Sequence, residues 1–297
     1  MDRLLFIATL TCALLVQREA DAFCRTTTCS CASESTCATD CPRDAEGCPS
    51  TGVPLAWRGA CVGFALSVAG TSTLTEDQWT AAIEQGFDAW TGVDCGGGQA
   101  PSIDLIQLRN VSCNESQYNP SGPNVNVVYF DDNGWSGGTI DGTLAATTVT
   151  SSESGQILDA DMAINSARHD FTVTDDGVQT DLVSIITHEA GHFLGIAHSP
   201  LPDAVMFADY TPGTLKRTLT PDDIAAVCAI YPPTTTPGIC NPTPMGGLET
   251  TCEGSAPAGC SVGGRTGGEG DGRGLAFLLG TLGLIATRGV VKRWRRR

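Results

Sequence analysis

The sequence predicts an α+β domain built on one twisted mixed sheet, preceded by a small disulfide-rich extension. Three observations carry this. Between residues 60 and 164, short strand-like runs surround one long amphipathic helix. A second helical pattern follows the strands at residues 181–193, an order that suits a layered sheet-and-helix domain. Six cysteines crowd residues 24–48 among Thr, Ser, Ala and Asp, in a stretch too poor in large apolar residues to bury a core without disulfides.

Residues 60–68, Ala-Cys-Val-Gly-Phe-Ala-Leu-Ser-Val, read as the first strand. Thr75 then opens a helix as its N-cap, with Glu76 and Asp77 in the first turn. Trp79, Ile83, Phe87 and Trp90 recur on it at helical spacing and are expected to pack in the core. Residues 103–108 and 125–130 read as strands, separated by an Asn-, Ser-, Pro- and Gly-rich loop at 110–123. Two further strands are expected at 143–149 and 156–164, and the second helix lies within 180–196.

The chain has 297 residues and a formal net charge of −16, which argues against a nucleic-acid partner because phosphate contacts need clustered Lys and Arg. Much of the positive charge sits in the last six residues, Lys292 to Arg297, so the body is more acidic still. The acidity serves solubility and leaves room for calcium at Asp131-Asp132, Asp159-Ala160-Asp161 or Asp175-Asp176. Fourteen cysteines point to an oxidising compartment and a disulfide framework whose connectivity the sequence leaves open.

Both ends read as addresses. Residues 1–22 form a signal peptide, with a short basic start, an apolar run and Ala20-Asp21-Ala22 before a cleavage at Phe23. Residues 23–52 are the Cys-rich extension and 53–233 the main domain. Residues 234–274 form a Pro-, Thr- and Gly-rich spacer, in which Cys240 and Cys252 suggest one disulfide loop. Residues 275–297 join an apolar run to the basic tail, either an anchor with its basic end cytoplasmic or a sorting signal. The protein is therefore expected to be exported, at the cell surface or outside the cell.

The chemistry lies in Thr187-His188-Glu189-Ala190-Gly191-His192-Phe193-Leu194-Gly195-Ile196-Ala197-His198-Ser199. His188 and His192 are four apart, so a helix puts both imidazoles on one side, one turn apart, within reach of one cation. Glu189 projects beside them, placed to hold a water rather than to bind the metal. Gly195 allows the left-handed backbone that ends the helix, and His198 returns from another direction. Three protein ligands with a fourth position open is the arrangement of a catalytic zinc. Three of the chain's four histidines are in this segment.

This spacing resembles the metzincin signature, H-E-x-x-H-x-x-G-x-x-H followed by a Met-turn. Met206, eight residues after His198, matches the Met-turn residue. Ser199, the stretch Phe207-Ala208-Asp209-Tyr210 and residues 219–231 are similar to the matrixin branch. The resemblance implies a metzincin-like zinc-peptidase fold over residues 53–231, with an active-site helix, and one catalytic zinc on His188, His192 and His198. It makes Glu189 the general base, Met206 the floor beneath the metal, and Tyr210 part of the specificity pocket wall. Asp222 and Asp223 would brace the Met-turn. It also implies a protein or peptide substrate. Two departures matter. Ala146-Thr147-Thr148 stands where a ligand of a second, structural zinc might be, so only the catalytic zinc is expected and His169 reads as a solvated loop residue. The latency cysteine has no clear match: Cys41-Pro42-Arg43-Asp44 is only superficially similar, and Cys41 and Cys48 read as disulfide partners. The C-terminal 40 residues, with Cys260, a Gly-rich stretch, an apolar run and Arg, resemble the sorting signals of myxobacterial surface proteins. The alternative to an endopeptidase is a surface adhesion protein that binds zinc without proteolysis, and the intact Glu189 argues against it.

Overall fold

The computed structural model describes residues 22–29, 41–135, 142–234, 236 and 238–252, and the backbone of Ile285–Ala286. The expected signal segment, Cys260 and the rest of the C-terminal apolar run and basic tail lie outside the described residues. Among the described residues no helix is long and apolar enough to cross a membrane.

The expected strands and helices form within a few residues of their predicted bounds. Strand β1 is Cys24–Arg25 and β2 is Cys61–Leu66. Helix α1, Glu76–Thr91, begins at Thr75, whose side chain accepts from Gln78 N while the Gln78 side chain accepts from Thr75 N. This reciprocal capping box satisfies amides the helix itself leaves free. Trp79, Ile83, Phe87 and Trp90 are all buried. Then come β3 Asp104–Gln107, β4 Val127–Phe130, β5 Ala145–Ser151, β6 Ile157–Ile164, β7 Phe171–Thr172 and β8 Thr180–Asp181. Helix α2 is Leu182–Phe193, followed by β9 Ile196–Ala197, β10 Asp209–Tyr210 and α3 Pro221–Ile230.

The main sheet has the order β3-β2-β4-β6-β5. Its first three pairings are parallel and β5 runs antiparallel to β6 at one edge. Parallel neighbours need crossover connections, and α1 supplies the one from β2 to β3. One face of the sheet packs on α1 and α2, where Phe64 stacks on Phe87 at 4.1 Å and Phe87 meets Phe193 edge-on at 5.3 Å. Strand period places Ala145 and Val149 in this core, with Thr147 between them on the same face.

The other face carries Ala65, Val127, Tyr129 and Ala163, covered by Val111, Cys113, Val125 and Trp135. Leu248 and Cys252 pack there too, which corrects the reading of residues 234–274 as a spacer with its own disulfide loop. Cys240 and Cys252 do not pair with each other: Cys240 bonds to Cys61 and Cys252 to Cys113. The Asn124 side chain donates to Met245 O at 2.9 Å, and Glu249 N donates to Asn124 O at 2.9 Å. The first part of the supposed spacer thus completes the second layer, packing Leu248 and Cys252 beside Val111, Cys113, Val125 and Trp135.

Cys95–Cys228 ties the end of α1 to α3, and Cys24–Cys48 and Cys29–Cys41 staple the Cys-rich extension. The Cys61–Cys240 link closes a loop with a sequence separation of 179. Removing a link of that span frees the unfolded chain most. The double variant Cys61→Ser, Cys240→Ser is expected to lose about 2–5 kcal/mol of stability, read as a lower midpoint in a denaturant titration of oxidised protein.

Candidate metal centre

Helix α2 is buried along almost its whole length. Its first turn is capped by Asp181, whose Oδ2 accepts from Ser184 N at 2.8 Å and from Arg217 Nε at 2.8 Å. At its other end Trp57 Nε1 donates to Phe193 O at 2.8 Å and the Tyr231 hydroxyl to Leu194 O at 2.9 Å, satisfying carbonyls a helix end leaves open. Trp90 Nε1, from α1, donates to Thr187 O at 2.8 Å. The helix carrying the two expected ligands is thus held at both ends and in the middle.

Gly195 then turns the chain at φ +88°, and a Cβ there would lie 2.7 Å from Leu55 O. Only glycine meets both conditions without strain. The turn sends β9 back antiparallel to β1, with Ala197 opposite Cys24, and delivers His198 to the other two histidines. The three rings lie 4.7–5.2 Å apart between centroids, and their ligating atoms all fall within 4.8 Å of one another.

The outer nitrogens of His188 and His192 are spoken for. His188 Nδ1–H donates to Val205 O at 2.7 Å and His192 Nδ1–H to Ile196 O at 2.8 Å. This fixes the tautomer that leaves a lone pair on Nε2, as in metal-bound histidines. Nε2 of His192 and of His198 lie 3.1 Å apart, and Nε2 of His188 is buried with no hydrogen-bond partner. His188 is enclosed, whereas His192 and His198 keep an edge toward solvent. Burial nonetheless lowers the pKa of all three, and neighbouring imidazoles lower those of His188 and His198 further. Neutral imidazoles with Nε2 converging on one point are the donor set zinc takes, so the residues fit the ion.

Glu189 is buried beside them. Its Oε2 accepts from Thr147 Oγ1 at 2.7 Å, whereas Oε1 has no partner. Burial pushes its pKa up to about 7, against the lowering effect of the Thr147 bond. Nothing in the sequence links Thr147 to Glu189, since it lies 42 residues away on β5. The available signal was the strand period, which sets a lone hydroxyl between core residues Ala145 and Val149.

Met206 lies buried against α2, and a Cβ at Gly191 would run into its sulfur and into Trp90. Ser199 N donates to Met206 O at 2.8 Å, so the residue after His198 is bridged to the Met206 turn. Asp223 accepts from Val205 N, Met206 N and Thr220 N, and Asp222 accepts from Ser199 Oγ at 2.7 Å. Because Val205 also supplies the acceptor for His188, Asp223 positions a histidine without touching it. Asp223→Ala would strand buried amides at about 1–3 kcal/mol each. It is expected to weaken zinc binding by about 10–100-fold, the usual cost of an outer partner, read by competition with a chelator.

Tyr210 is buried, its hydroxyl accepting from Asp181 N at 2.9 Å and donating to Thr214 O at 2.7 Å. His169 is half-buried and outside the histidine group. Four of the six carboxylates weighed for calcium make protein contacts. Asp161 accepts from Val127 N and Gln117 N, Asp132 from Thr71 and Ser72, Asp131 from Gly134 N, and Asp175 pairs with Arg217. Burial raises the pKa of Asp159 well above the ordinary carboxyl value.

The profile of the Matrixin family matches residues 56–232, well over half of the chain. The chain belongs to the matrixin family. It is 48% identical over 56 residues to Metalloendoproteinase 1-MMP of Arabidopsis thaliana, covering 19% of this chain and 15% of that protein. It is 33% identical over 107 residues to Metalloendoproteinase 4-MMP of the same plant, covering 36% and 31%. Karilysin of Tannerella forsythia is 43% identical over 56 residues, 19% and 11%. This matrixin thus spans less than a third of the length of each of these relatives. The α+β domain, its mixed sheet and its helices agree with the fold expected of a matrixin.

Proposed function

We propose that this matrixin is a zinc-dependent endopeptidase, with zinc on His188, His192 and His198 and Glu189 as general base. One observation carries the reading: three neutral imidazoles converge in a buried corner where Nε2 of His188 and Oε1 of Glu189 both lack a partner. A binding protein has no use for a partnerless carboxylate oxygen beside the ligands.

Zinc, when bound, supplies a Lewis acid that lowers the pKa of water and polarises a carbonyl. The protein's own groups do the rest. Thr147 holds Oε2, so the carboxylate presents Oε1 in one orientation. Oε1 takes a proton as the water oxygen bonds to the peptide carbonyl carbon. When the C–N bond breaks, Oε1 returns that proton to the leaving amine. Strand β5 is an edge strand next to this corner, and its open side offers backbone donors and acceptors to an extended peptide. Tyr210, fixing residues 211–214 against the start of α2, is the proposed wall of a side-chain pocket.

Five disulfides among the described residues support export, since such bonds persist in oxidising compartments. Mass spectrometry of a denatured protein incubated with the purified chain tests the activity. Internal fragments that disappear with a chelator are expected. Release of single terminal residues, or no products, would refute an endopeptidase.

A further inference from the structure

The Cys-rich extension lies outside the matched family region and yet reaches the metal corner. Strand β1 pairs with β9, placing Cys24 opposite Ala197, the residue before His198. Thr26 N donates to Gly195 O at 3.0 Å and locks that register. The Cys24–Cys48 bond brings a hairpin at residues 42–50 to the same place, and Cys29–Cys41 fixes its entry. In the hairpin Asp44 N donates to Cys48 O and Ser50 N to Pro42 O, both at 2.9 Å. Arg43 is bridged to Pro49 and stands exposed on this hairpin.

Arg43 is therefore held on a hairpin that the Cys24–Cys48 bond ties to the strand opposite Ala197, the residue before His198. One of its five donors is used within the hairpin: Nη1 donates to Gly47 O at 2.6 Å. Among the described residues no carboxylate forms an ion pair with it. The neighbouring Asp44 Oδ1 instead accepts from Glu46 N at 3.1 Å and Cys48 N at 2.8 Å, turned into its own turn. A cation with free donors, pinned by two disulfides next to the metal corner, is out of keeping with a chain of net charge −16.

We infer that Arg43 is a specificity-determining residue that selects peptides carrying a carboxylate side chain on the His198 side of the scissile bond. The inference rests on the endopeptidase reading. Arginine's planar fork suits a carboxylate, and the pair would sit at the rim, where screening by salt limits its strength.

The test is a set of fluorogenic peptides with Glu, Lys or Gln at each position around the scissile bond, assayed at low and high salt. The wild type is expected to prefer Glu over Lys about three- to tenfold in kcat/KM at one or two adjacent positions on one side, less so at high salt. Arg43→Glu should invert that ratio and Arg43→Lys should retain part of it. The ratio is taken within each enzyme, so any change in total activity or folding cancels. Arg109→Glu, exposed after β3 on the opposite edge of the sheet from β5, makes the same change in net charge and should leave the ratio alone. Cleavage of the Gln peptides without a Glu preference, or an equal shift in the Arg109 variant, would overturn the role of Arg43 while leaving the protease reading intact. Failure of the wild type to cleave any peptide in the set, together with denatured protein, would overturn both.

Discussion

Glu189→Ala is expected to lower kcat by about 10²–10⁴-fold, the usual range for a lost general base, while leaving zinc bound. The carboxylate is 1% exposed and makes its one side-chain bond to Thr147, so its removal should not disturb the histidines, whose orienting partners are Val205 and Ile196. The pH profile gives a second reading. A general base must be ionised, so activity falls as pH drops through its pKa. Burial, opposed by the Thr147 bond, pushes that pKa up to about 7, and the charge of a bound dication pulls it down. The acid limb of kcat/KM in the wild type is therefore expected below pH 7. The residual activity of the Ala variant should lack that limb. Full activity in Glu189→Ala would remove the residue from the mechanism.

The second large effect is on the metal. His188→Ala removes the most enclosed of the three imidazoles and leaves Val205 O without its donor. Zinc affinity should fall by more than the roughly 10–100-fold that loss of an outer partner costs, and cleavage should fall to background. Metal analysis after dialysis against a weak chelator reads the first, and the peptide assay the second. Acidity acts in the same direction by protonating Nε2. Because burial lowers the pKa of all three histidines, the wild type should keep zinc at pH values below the ordinary histidine pKa of about 6.5. Release centred at or above that pH would contradict neutral, buried ligands.

What the sequence reveals about this protein follows the range of each signal. The stripe of Trp79, Ile83, Phe87 and Trp90 is local and helical, and it gave α1 with its Thr75 cap. His188 and His192 fall on one face because they are four apart, and Gly195 announces the turn that returns His198. Asp222 and Asp223 were legible only through resemblance to matrixins, since nothing in their spacing points back to Met206. The rest depends on pairings between distant residues. The pairing of Cys24 with Ala197 joins segments far apart in the chain, and it is what docks the extension beside His198. The partners of Cys240 and Cys252 likewise lie more than a hundred residues away, so two cysteines that share a segment staple it to the sheet instead of to each other. Thr147 meets Glu189 only because β5 lies at the edge beside α2.

The most direct measurement is a zinc titration of wild-type protein stripped of metal, following cleavage of a denatured protein against zinc bound per chain. The account predicts no cleavage without metal and a rate that rises in proportion to zinc up to one ion per chain. Cleavage by the metal-free chain, or a fully loaded chain that cleaves nothing, would contradict it.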